Sequence, residues 1–219
     1  MSSQSDDDRD LPGKTDLHDD DLPGDTAGAE GSRRLGTWMF VRGVWGAAFG
    51  LATVFWPRVE LTGMTDLSVT VGTADMLLLA YLLGSAVLLV LQGLSLRKVP
   101  TDDASGAGLL TTAVWGQAVV TLPGIVFLFL ADVPGELRAA IAVWAFLHGL
   151  VELWVWAQQK GRRMRSDFLI TGVLHAALGV IIFVSTSMGA LTVLGSTGAV
   201  VTIGAVLYML GGYSRRSRR

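Results

Sequence analysis

Apolar residues in this chain come in long unbroken runs and do not alternate with polar ones. Six runs, at 36–57, 72–95, 109–131, 137–159, 168–187 and 191–212, are each about 20 residues or longer, the length a helix needs to cross roughly 30 Å of hydrocarbon. Short charged or glycine-rich stretches separate them. The last break falls inside the apolar stretch 168–213, too long for one span, where Ser185, Thr186, Ser187, Met188 and Gly189 supply a turn. The pattern predicts an all-α polytopic protein with a six-helix transmembrane domain over 36–213.

Residues 1–35 follow no such period. Ten of the 19 acidic residues lie within residues 1–30, and residues 1–34 contain three leucines as their only large apolar residues past Met1. A segment of this kind buries too little surface to offset its ordering entropy, so it is expected to be a disordered acidic tail. It carries DLPG twice, at 10–13 and 21–24, a candidate docking motif for a protein partner. Its acidic start is unlike a secretory signal.

Charge orients the spans. Fourteen lysines and arginines fall in the tail, the 96–108 and 160–167 loops and the end of the chain, against Arg58 and Arg138 alone on the opposite side. This asymmetry predicts both termini in the cytoplasm and an even number of spans; arginine outnumbering lysine 14 to 3, with abundant Ala, Gly and Val, points to a bacterial source. The basic end, 214–219, directly follows a span, which points to anionic lipid and not to nucleic acid. The absence of cysteine excludes disulfides, thiolate metal sites and a thiol nucleophile.

The glycines repeat. Gly124 and Gly149 are 25 residues apart, as are Gly179 and Gly204, and the second pair follows the first by 55. Gly50 and Gly84 fit the same register if the first hairpin carries nine extra residues in its outer loop, PRVELTGMTDLSVTVG. Three helical hairpins from one repeated unit are the expected architecture. Gly43, Gly46 and Gly50 form a small-residue strip on the first helix. With no hydrophobic drive between helices in lipid, such strips allow close packing, and Gly84, Gly124, Gly149, Gly179 and Gly204 are assigned the same role. Packing within the chain accounts for the Gly46–Gly50 pair more simply than dimerisation.

Polar residues interrupt the runs at one depth. Arg42, Gln117, Glu152 and His175 lie six to eight residues from the cytoplasmic boundary, a spread of only about 3 Å along a helix. His148 sits one turn deeper than Glu152, on the same face at i and i+4. These five form an expected polar layer facing the bundle axis, with Arg42 paired to Glu152 because charges at such depth usually pair. Asp75 and Gln92 lie nearer span ends and are expected to reach the interface. The layer either fixes helix register, responds to protons or conducts; His148, Glu152 and His175 show no metal-ligand spacing beyond the i,i+4 pair, so no metal is assigned. No P-loop or HExxH is present, and Gly195–Ser196–Thr197–Gly198 is read as helix packing. No catalytic residue and no cofactor are expected.

The segment RGVWGAAFGLATVFWP (42–57) resembles the opening of HdeD-like membrane proteins, and GLVELWVWAQ (149–158) resembles their fourth helix. The likeness covers about 36–213 and includes the three-hairpin layout. The acidic tail, the nine-residue insertion and Gly116–Gln117, in place of an arginine–glycine start, depart from it. The resemblance implies a non-enzymatic inner-membrane protein contributing to acid or envelope stress tolerance. Two other readings stay open: a small transporter or channel using the polar layer, and a membrane scaffold recruiting partners through the acidic tail.

Overall fold

In hydrocarbon no water can take up a free peptide N–H or carbonyl, so an apolar run that crosses it must pair its backbone internally. The computed structural model describes residues 23–55, 71–97, 107–159 and 165–216, and all its regular structure is helical. The helices are α1 (Pro23–Phe55), α2 (Val71–Leu96), α3 (Ala107–Phe129), α4 (Pro134–Gln158), α5 (Arg165–Val184) and α6 (Ala190–Arg216). Each contains a segment long and apolar enough to span a membrane; the protein is a multi-pass membrane protein.

The observed spans lie close to the expected ones, with one difference of substance. α1 reaches back to Pro23, so residues 23–35, expected as part of an irregular tail, are helical. Proline at a first helical position has its φ preset for the helix. The first DLPG copy, most of the 57–72 insertion and residues 217–219 lie outside the described residues, as does most of each basic loop.

Helix ends follow local chemistry. α4 begins after Val133 in extended conformation with Pro134 in its first turn, and the Glu136 carboxylate accepts the Asp132 backbone N–H at 2.9 Å. The predicted turn between α5 and α6 is present: the Met188 N–H closes on the Ser185 carbonyl at 3.2 Å. Arg138 donates to the carbonyls of Thr186 and Met188, tying the start of α4 to this turn.

The six helices form a closed ring: each packs on its neighbours in the chain, and α6 returns to α1. α2, α4 and α6 also touch one another, so the second helix of every hairpin lies inward. The closest pairings are between hairpins, α1 on α6 and α5 on α4, with α3 on α2 in the corresponding place. Small residues set this order. An added Cβ at Gly43 would lie 2.7 Å from the Ala205 carbonyl, and one at Gly179 would lie 2.6 Å from the Phe146 nitrogen. In the second hairpin the register position of Gly43 and Gly172 holds Gln117, whose side chain prevents an equally close approach. Leu51, Phe129, Phe183 and Leu210 are among the apolar side chains exposed on the ring's outer surface.

Two apolar cores fill the ring. One, built around Phe49, Leu78, Leu82, Ile141, Trp144 and Ile182, lies toward the side away from the termini. The other, including Met39, Leu89, Val114, Val155 and Phe168, lies toward the termini. On α1, α4 and α5 the residues between these cores are Arg42, the pair His148 and Glu152, and His175. The polar layer is therefore clamped between two apolar plugs.

Candidate functional site

The layer is built by helix geometry. Gly43 faces α6, where its lack of a side chain lets α1 sit against Ala205 and Met209. Arg42, one residue earlier and about 100° around the helix, turns toward α2 and α3. Its Nη1 donates to Gln92 Oε1 at 3.3 Å and its Nη2 to Gln117 Oε1 at 3.0 Å. Both amides are buried. Gln92, expected at the interface, thus belongs to the layer.

A second group forms where α4, α5 and α6 meet. Glu152 is fully buried. Its Oε2 lies 2.9 Å from His175 Nδ1, which is also 2.9 Å from the Thr171 carbonyl. Its Oε1 accepts the Tyr208 hydroxyl at 2.7 Å and lies 3.8 Å from His148 Nε2. The expected Arg42–Glu152 ion pair is not formed: Glu152 is engaged by His175 and Tyr208, and Arg42 by the two amides. Tyr208 joins the two groups, its ring lying 4.9 Å below the Arg42 guanidinium carbon while its hydroxyl binds Glu152.

Aromatic rings close the layer on the side away from the termini. Phe49 stacks on Tyr81 at 4.3 Å and Tyr81 meets Trp144 edge-on at 6.0 Å. Trp144 contacts both histidine rings, at 5.4 Å for His148 and 5.9 Å for His175. The Trp45 indole N–H donates to the Tyr81 carbonyl at 3.1 Å, and Gly84 leaves the space this indole fills. Between Arg42, Ser85, Thr121, His148, His175 and Tyr208 remains a cavity of about 30 Å³. That is room for one or two waters and far below the size of a small-molecule pocket. His148 Nδ1 is buried without a hydrogen-bond partner.

All five expected layer residues are brought to this level. Gly46, Gly50, Gly84, Gly124 and Gly149 meet close neighbours, alongside Gly43 and Gly179. Gly204 does not: an added Cβ there would be 3.6 Å from Thr171 and 3.9 Å from His175. Its place is beside the cavity, on the loosely packed α5–α6 pair. Tyr208 was not legible as a member, because a tyrosine near a span end reads as an interface anchor. The repeat held the clue: Glu152 follows Gly149 by three residues and Tyr208 follows its counterpart Gly204 by four. The chain matches no family model, no curated protein and no solved structure.

Proposed function

We propose that this chain is a non-enzymatic inner-membrane protein of the HdeD-like type, with both termini in the cytoplasm, contributing to acid or envelope stress tolerance. The observation that carries this reading over a transport pathway is the enclosure of the polar layer. Arg42 and Glu152 are each satisfied by side chains of the bundle, and the space beside them holds no more than a water or two. A layer of this kind holds three hairpins in one register. The segments that resemble HdeD-like proteins carry its parts: 42–57 contributes Arg42 and the glycine strip, and 149–158 contributes Glu152.

Two measurements test it. A deletion strain should lose survival in an acid challenge and regain it with the full chain, and regain it also with residues 1–34 removed, which separates this role from tail-mediated scaffolding. The cysteine-free chain allows single cysteines at Ser85 and Thr121 to be probed with a membrane-impermeant thiol reagent. Neither should react from either face. Labelling from both faces would replace this reading with the transporter one.

A further inference from the structure

We propose that His148, Glu152 and His175 form a binding site for a divalent transition-metal ion of the zinc type, independently of any role in stress tolerance. One donor atom from each of the three side chains lies within 4.8 Å of the others. Two imidazoles and one carboxylate suit zinc and its borderline neighbours, whereas calcium and magnesium prefer all-oxygen ligands. Zinc ligands sit at about 2.0–2.2 Å from the metal, so the three donors need to draw together by roughly 1 Å, within the reach of small χ adjustments.

Four features distinguish this group from an ordinary buried polar cluster. First, the donors stand on rigid backbone. His148 and Glu152 share a face of α4, and α5 is held against α4 by Gly149, whose added Cβ would lie 2.7 Å from the Gly172 carbonyl. Second, the buried His148 Nδ1 has no partner, an unusual state for such a group. It leaves this imidazole free to turn a nitrogen toward a ligand.

Third, an outer partner that orients a metal ligand is in place: the Tyr208 hydroxyl donates to Glu152. Fourth, the adjoining cavity of about 30 Å³ has room for a water as fourth ligand beside three protein donors. Arg42, the one nearby cation among the described residues, is directed to Gln92 and Gln117 and stacked on Tyr208, while the Glu152 carboxylate offsets part of the ion's charge.

The test uses the full chain in detergent, purified through a tag without histidines, stripped with chelator and then incubated with zinc or cobalt chloride. About one zinc per chain should be retained, and cobalt should give the ligand-field absorption of a four-coordinate nitrogen–oxygen site. His148→Gln and His175→Gln should each abolish both signals. Tyr208→Phe keeps the ring and should weaken affinity by about 10–100-fold, as loss of an outer partner does; it covers the case in which a histidine variant fails to fold. The proposal is overturned if the wild-type chain retains no zinc, if folded His148→Gln retains as much as wild type through His18 and the acidic tail, or if Tyr208→Phe leaves affinity unchanged.

Discussion

At the scale of single residues, the layer's partnerships decide what each substitution costs. Tyr208→Phe removes the hydroxyl donated to Glu152 while keeping the ring under Arg42. It should destabilise the bundle by about 1–3 kcal/mol, the range for a buried hydrogen bond lost from one side, as measured by reversible unfolding in mixed micelles. A direct Arg42–Glu152 pair would allow the double variant Arg42→Ala, Glu152→Ala to recover what each single change loses. The observed geometry gives the opposite expectation. Gln92, Gln117, His175 and Tyr208 each lose a partner and neither substitution restores one, so the double variant should be less stable than either single one. Recovery in that cycle would show that the two charges pair directly after all. Depth along the sequence revealed which residues share the layer, since depth needs only the 1.5 Å rise. Who bonds whom depends on rotation and helix neighbours, which no span boundary encodes.

At the scale of the elements, glycine is what lets odd-numbered helices lie against the preceding even-numbered ones. Backbone atoms limit the space at Gly179, where an added Cβ would meet the Phe146 nitrogen at 2.6 Å and the Ala142 carbonyl at 2.7 Å. Gly179→Ala must therefore push α5 from α4 and should cost about 1–3 kcal/mol, the usual penalty of overpacking. Gly195→Ala, on α6 with nothing within 4 Å, should be neutral or stabilise by up to about 1 kcal/mol through helix propensity. Unfolding of the two variants side by side checks this, and equal effects would contradict the packing role. The glycine spacing was readable as a repeat although the contacts differ: Gly50 and Gly179 each meet the second helix of a neighbouring hairpin, whereas Gly124 also meets Trp144 of its own. Gly204 shows the limit: it keeps the register but faces the cavity, since α5 and α6 are not drawn together as α4 and α5 are.

At the scale of the whole molecule, six consecutive traversals place both ends of the helical domain on one side. Single cysteines introduced at Arg97 and Arg216 should therefore label from the same face, and cysteines at Asp132 and Ser187 from the other. The excess of basic residues near the termini predicts that the first face is the cytoplasmic one, as proposed above. Labelling of all four from one side would break the six-span topology. The ring itself, closed by α6 on α1 with α2, α4 and α6 inward, follows from three hairpins repeating one inter-hairpin contact until the circle is complete.

The sequence by itself determined the number of spans, their approximate bounds apart from the start of α1, the spacing of the glycines and the depth at which polar residues recur. These are one-dimensional properties: hydrocarbon thickness sets run length, and helical rise converts position into depth. Only the tertiary structure decided that Arg42 turns to Gln92 and Gln117, that Tyr208 stands beside Glu152, and that His148 and His175 meet the same carboxylate. Those contacts depend on how each helix is rotated and which neighbour it meets. Both are set by the mutual fit of small and large side chains around the ring.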